Sequence, residues 1–211
     1  GKTVNMENNS RGGIEKKKGP GLIVAVCQLK VTDNKKKNLK NAHKMIKESA
    51  ENGADMVILP EMFNCPYDPS CFNPFAESYP GESSELLSGL ASDYSVYIIG
   101  GSIPEREGNF IYNTSYSFDR NGFLIGRHRK IHLFDVEIEG GIRFKESETI
   151  TAGSEATVID TEFCKIGVAV CYDIRFPELI RKMVLSGAKI IIVPAAFNMT
   201  TGPAHWHILA R

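Results

Sequence analysis

Cys171 closes the apolar run Ile166-Gly167-Val168-Ala169-Val170 and opens Tyr172-Asp173-Ile174-Arg175-Phe176-Pro177-Glu178, so a thiol stands where a buried strand turns into a helix. A side chain on such a turn is presented sharply, beside backbone N–H groups that can bind an oxyanion. Glu61 follows Pro60 after the apolar stretch Met56 to Leu59, at the carboxyl edge where open α/β sheets take their ligands. A buried Glu beside a thiol has its pKa raised and can act as a general base. Lys130 ends Arg127-His128-Arg129-Lys130 on a candidate edge strand. Each residue also has a plainer reading: a small buried hydrophobe, a solvated loop-start carboxylate and a solvated sheet edge.

The elements that must position these residues alternate along the chain. Leu22 to Leu29 suits a strand buried on both faces, followed by Asp33 as N-cap of a helix carrying Leu39, Ala42, Met45, Ile46 and Ala50 on one face. Gly53 can close that helix in the left-handed conformation. Met56 to Leu59 is the next buried strand, Glu82 to Ser92 the next helix, and Val96 to Ile99 a third strand before Gly100-Gly101. This βαβαβ rhythm predicts a mostly parallel core. Ile111 to Phe118 places Tyr112, Thr114, Tyr116 and Phe118 on one face, and Asn121-Gly122 turns the chain into Phe123 to Arg127, a hairpin. Residues 132–153 are polar and aperiodic, longer than most connections. Lys165 to Val170, a helix over Phe176 to Ser186 with Pro177 in its first turn and Gly187 behind it, and Lys189 to Val193 restore the parallel pattern.

Residues 1–20 are polar and Lys-rich and read as a flexible extension, which leaves one domain over 21–211. The last helix, begun at Pro203 with Trp206, Leu209 and Ala210 at helical spacing, stops without a C-cap signal, so the chain is expected to be truncated inside an element. Among 211 residues, 25 Lys plus Arg balance 25 Asp plus Glu, which announces no footprint for nucleic acid. No apolar run approaches the roughly 20 residues that span a bilayer. The five cysteines lack paired metal spacing, so free thiols in a reducing compartment are expected rather than a disulfide framework.

Taken together, Pro60-Glu61, Arg129-Lys130 with His132-Leu133-Phe134, and Gly167 to Glu178 resemble the three signature segments of the carbon–nitrogen hydrolase, or nitrilase, superfamily. The resemblance runs from about Leu22 to Arg211 and implies an αββα four-layer sandwich, an enzyme without cofactor or metal, and a homodimer. It implies a Glu-Lys-Cys triad: Cys171 as nucleophile, Glu61 as base and Lys130 as the cation holding the oxyanion, with the Tyr172 N–H completing the oxyanion hole. A cation there is expected to lower the thiol pKa and make thiolate available. The second family glutamate matches Glu146, with Glu148 as competitor. Phe63 to Tyr67, His132 to Val136 and Ala196 to Trp206 are similar to the ω-amidase branch. That likeness implies a terminal substrate carboxylate held by Arg175, Tyr67 and Thr201, with Phe197 lining the pocket, and α-ketoglutaramate or α-ketosuccinamate as substrate. Arg offers paired donors in one plane, the expected partner of a carboxylate.

Two other readings stand beside this one: a deaminated-glutathione amidase sharing the triad, and a truncated chain without turnover. His132, His205 and His207 suggest a Cys-His or metal site, but no His-x-x-x-His or acidic cluster accompanies them. The expected partner is a small amide, with no nucleic acid or membrane. The expected location is the cytoplasm, with an organelle left open by the basic extension.

Overall fold

The computed structural model describes residues 21–137 and 143–197, together with His205, Ile208 and Leu209. Thr201, His207 and the 1–20 extension lie outside the described residues. In chain order the elements begin with β1 (Val24–Val26), α1 (Lys35–Glu51), β2 (Met56–Ile58), α2 (Pro69–Phe75), α3 (Glu82–Tyr94) and β3 (Tyr97–Ile99). Then come β4 (Ile103–Glu107), β5 (Phe110–Phe118), β6 (Leu124–Arg129), and a small hairpin of β7 (Asp135–Glu137) and β8 (Arg143–Lys145). The second half closes with β9 (Thr157–Asp160), β10 (Lys165–Val168), α4 (Pro177–Leu185) and β11 (Ile190–Ile192).

β1, β2 and β3 are parallel, and β5 runs antiparallel to β3, β4 and β6. Strand β6 therefore runs in the same direction as β2, which brings the chain beyond both, Glu61 and Lys130, to one edge of the sheet. A second sheet has the order β11-β10-β9, with β10 and β11 parallel. Strand period two separates the core into layers. Val57 and Ile98 face Leu39, Ala42 and Ile46 of α1 and Leu87, Leu90 and Ala91 of α3. Met56, Ile58, Tyr97 and Ile99 point the other way, against Ile159, Ile166, Val168 and Ile192 of the second sheet. On the far side of that sheet, Leu179 and Met183 of α4 pack with Ala169 and Ala188. The order helices, sheet, sheet, helix is the αββα sandwich. Burying each of Ile46, Ile98 and Ile166 contributes about 1.5–3 kcal/mol of hydrophobic stabilisation.

The sheets approach closely at Gly126 of β6, where a Cβ would stand 2.4 Å from Ile159 Cγ2 of β9. Only a residue without a side chain fits that approach. The turn before β6 uses Gly122 at φ +81°, as the Asn-Gly pair predicts.

Several expectations need correction. β1 is a three-residue edge strand that pairs only with β2: Ala25 packs on the cluster beneath α1, while Val26 is 75% exposed. An apolar run cannot by itself tell a central strand from an edge. The cap of α1 is Asn34, not Asp33: its side chain accepts from the Lys37 N–H. β5 is buried on both faces over most of its length rather than alternating. Residues 132–153 hold β7, β8 and a 3-10 turn over Glu146–Glu148 instead of an open loop. Strand β4 went unread because charged Glu105 is buried within it, satisfied by Arg127, Arg129 and Thr114. Among the described residues, no helix is long and apolar enough to cross a membrane.

Candidate active site

Three chain segments that leave strand ends converge between the sheets. After β2 the backbone makes a tight turn in which Met62 adopts φ +51° while its N–H donates to Ser102 Oγ at 3.0 Å. That turn aims Glu61 inward, 2% exposed. After β6, Lys130 donates its backbone N–H to Asn113 O at 2.8 Å and is wholly buried. After β10, Cys171 adopts φ +45° and donates its N–H to Pro194 O at 2.8 Å. A left-handed non-glycine residue costs about 1–3 kcal/mol, and here that strain lies at the strand-to-helix elbow that presents the thiol.

Lys130 Nζ is 3.0 Å from Glu61 Oε1 and 2.8 Å from Glu146 Oε2, and 3.3 Å from the Tyr67 hydroxyl. These partners match the ammonium's three N–H donors. Asn113 Nδ2 donates to Glu61 Oε1 and Glu146 Oε1, each at 2.9 Å, so one amide spans the two carboxylates. Glu146 Oε2 also accepts from the Phe134 N–H at 2.8 Å and from the Tyr67 hydroxyl at 3.3 Å. Glu61 Oε2 accepts from the Ala196 N–H at 3.0 Å. The Glu61 carboxylate also acts on the Cys171 thiol electrostatically, raising its pKa.

The electrostatics follow from burial. Desolvation pushes the Glu61 carboxyl above the usual carboxylate range, with Lys130 pulling against it. Burial also disfavours the Lys130 ammonium, but Glu61, Tyr67 and Glu146 overcome that and hold it well above the ordinary lysine value. The Cys171 thiol is pushed well above its ordinary value, first by burial and then by Glu61, and Lys130 does not reverse this. Lys130 does lower the thiol pKa, as expected, but burial and Glu61 outweigh it, which favours the protonated thiol and calls for a base to take its proton. Glu61 is the carboxylate that acts most strongly on that thiol.

The remaining residues named from the sequence fall into three groups. Glu146 belongs to the cluster, whereas Glu148 is exposed and pairs with Arg143. Tyr67 contributes its hydroxyl to the Lys130–Glu146 pair, its ring stacked on Phe144 at 5.2 Å. Tyr172 lies in the first turn of the 3-10 helix Cys171–Arg175, where an N–H has no intrahelical acceptor. The Arg175 guanidinium lies 5.5 Å from the Tyr172 ring centre and donates through Nη2 to His205 Nδ1 at 2.8 Å. Phe197 is half-buried, next to the Ala196 N–H that touches Glu61. His132 stands against Asp173, 2.8 Å from Oδ1. Among the described residues, no group of three or more His, Cys, Asp or Glu is arranged to hold a metal ion.

Sequence reasoning missed Asn113, the Ala196 N–H and Asp173. Asn is disfavoured in strand interiors, so Asn113 in the middle of an apolar strand was a readable signal. The other two act through geometry that appears only on folding.

The chain is similar to known proteins over most of its length. Residues 23–211 match the model of the carbon-nitrogen hydrolase family. The omega-amidase NIT2-A of Xenopus laevis is 50% identical over 188 residues, spanning 89% of this chain and 68% of the relative. The omega-amidase NIT2 of Mus musculus is 46% identical over the same shares. Among solved structures, Saccharomyces cerevisiae Nit3, a member of branch 10 of the nitrilase superfamily, superposes with a TM-score of 0.81. It is 40% identical, with 90% of this chain and 69% of that one covered.

Proposed function

The chain belongs to the carbon–nitrogen hydrolase family, and from that premise we propose that it is an ω-amidase. It hydrolyses short 2-oxo dicarboxylate monoamides, α-ketoglutaramate and α-ketosuccinamate, to the dicarboxylate and ammonia. The observation that carries the chemistry is the buried Glu61–Lys130 pair at 3.0 Å, with Glu61 also acting electrostatically on the buried Cys171 thiol.

In the first half-reaction Cys171 Sγ attacks the amide carbon while Glu61 takes the thiol proton. The carbonyl oxygen becomes an oxyanion, held by Lys130 Nζ and the Tyr172 N–H. Of the three Lys130 contacts, the one to the neutral Tyr67 hydroxyl is the longest, so that N–H is the one that turns to the substrate. Preorganised donors in a dry site are worth about 3–4 kcal/mol each to a developing oxyanion. Glu61 then gives its proton to the leaving nitrogen, the C–N bond breaks, ammonia departs and a thioester remains on Cys171. In the second half-reaction Glu61 takes a proton from water, hydroxide displaces the thiolate, and the proton returns to Cys171. Glu146, committed to Lys130, Tyr67, Asn113 and the Phe134 N–H, orients the cation throughout.

Arg175 is the proposed partner of the substrate's terminal carboxylate, with Tyr67, Thr201 and Phe197 shaping the rest of the subsite. In metabolism the enzyme would clear the 2-oxo amides left by glutamine and asparagine transamination. It would act as a cytoplasmic homodimer, the dimer being checked by light scattering. The test of substrate class is ammonia release from α-ketoglutaramate against a neutral amide of similar length. The proposal expects kcat/KM about a hundredfold or more in favour of the carboxylate-bearing amide, because the neutral analogue forfeits the charge-assisted hydrogen bonds that the Arg175 guanidinium offers a carboxylate. Equal values would sink it.

A further inference from the structure

We propose that Asp173 is a positioning residue that sets the separation between Lys130 and the Cys171 thiol. This rests on the amidase reading for its effect on turnover, although the geometry stands without it. Lys130 follows a strand of the first sheet and Cys171 a strand of the second. The sheets meet largely through apolar side chains, and such contacts are non-directional. They hold two layers together without fixing the distance between two reacting groups. Hydrogen bonds to a single buried carboxylate do fix it.

Asp173 is fully buried and draws its partners from both sides of the divide. Its Oδ1 accepts from the N–H groups of Ile131 and His132, at 3.3 and 2.9 Å, and faces His132 Nδ1 at 2.8 Å. Its Oδ2 accepts from the Val170 N–H at 3.0 Å and faces His128 Nε2 at 3.0 Å. The donors therefore bracket Lys130 on one segment and immediately precede Cys171 on the other. Against a carboxylate, both ring nitrogens serve as N–H donors. Burial opposes the charge, yet the His128 bond and the backbone N–H groups hold this carboxyl below the usual range. The His132 ring also stacks on Phe176 at 3.5 Å, fixing the segment just beyond the nucleophile. A misplacement of about 1 Å between reacting groups can reduce rate by about a hundredfold.

The test uses two variants and two readouts. His132→Phe keeps a flat ring on Phe176 and removes one donor; Asp173→Asn keeps the shape and removes the charge. Alkylation of Cys171 by iodoacetamide, quantified at the Cys171 peptide, reports the thiol's placement without any substrate. Steady-state ammonia release from α-ketoglutaramate reports kcat and KM. Positioning requires His132→Phe, folded by circular dichroism, to slow alkylation and kcat by about fivefold or more with KM within about twofold. Asp173→Asn should lose about thirtyfold or more in both. If Asp173→Asn does not fold, His132→Phe decides alone. Wild-type alkylation and kcat in a folded His132→Phe, or a rise in KM with kcat preserved, overturns the proposal. Wild-type protein that releases no ammonia yet shows alkylation sensitive to His132→Phe would overturn the amidase reading and leave the positioning role standing.

Discussion

Lys130 Nζ stands 3.0 Å from Glu61 Oε1 with both side chains wholly buried, so the cation and the base of the proposed mechanism hold each other inside the sandwich. A buried pair of this kind is weak evidence for stability as a whole, but removing one member leaves an uncompensated charge. Lys130→Met leaves Glu61 and Glu146 facing each other without a counterion. The expected result is a stability loss of about 3–5 kcal/mol in urea unfolding and a fall in kcat of about a hundredfold or more. A variant with unchanged unfolding midpoint and turnover would contradict the role of the pair.

The acid limb of the pH–rate profile should report Glu61. Burial raises its folded pKa above the ordinary 4.5, so the base stays protonated, and idle, at pH values where an exposed glutamate would be ionised. The expected kcat/KM profile has its acid midpoint above 4.5. A midpoint at or below that value would contradict the assignment.

The alkaline side of the stability curve carries a second sign. Cys171 has a folded pKa raised above its ordinary 9.0, and Lys130 one raised above 10.5. The folded state therefore binds more protons than the unfolded chain in that range, and stability falls as pH rises. For Cys171 the fall begins as pH passes 9.0 and continues up to its folded pKa, and for Lys130 it begins above 10.5. Thermal melts across this range should show a decline that is smaller in Cys171→Ala. Identical declines in the two proteins would show that the thiol is not held protonated by the fold.

Asn113 makes a separable contribution. Asn113→Ala removes the donor shared by the two carboxylates and should lower kcat by about tenfold to a hundredfold. Asn113→Asp places a third carboxylate beside Glu61 and should move the acid limb further up, since like charge disfavours ionisation. An unshifted limb in a folded Asn113→Asp would contradict the arrangement.

Gly126 tests the packing of the sheets. Gly126→Val puts a branched side chain where even a Cβ would be 2.4 Å from Ile159 Cγ2, and overpacking of this kind costs about 1–3 kcal/mol. Urea unfolding should show that loss, relieved in part by Ile159→Ala. Full stability in Gly126→Val alone would contradict the close approach.

What could be read from the sequence followed from local physics. The parallel strands β2, β3 and β11 are short unbroken apolar runs, helices α1, α3 and α4 carry helical periodicity or a terminal Pro or Gly, and the β5–β6 hairpin carries an Asn-Gly turn. Cys171 and Glu61 were visible as candidates because a strand end is a local feature. The seven-residue α2 hides behind two prolines, and β9 is too short to show a period. The exposure of β1 depends on which strand became the edge, a fact of topology. Asp173 was in view within its motif, but its bonds to Ile131 and His132 bridge two sheets and some 40 residues of chain, beyond any local pattern. The protonation of Cys171 likewise depends on burial by the whole fold.

The most direct measurement is ammonia release from α-ketoglutaramate by this chain beside Cys171→Ala at equal concentration, with folding of both checked by circular dichroism. A thiol amidase requires turnover in the wild type and a loss of about ten-thousandfold or more in the variant. A folded Cys171→Ala that keeps turnover within about tenfold of wild type, or a folded wild type that releases no ammonia, would contradict a nucleophilic Cys171 acting on this amide.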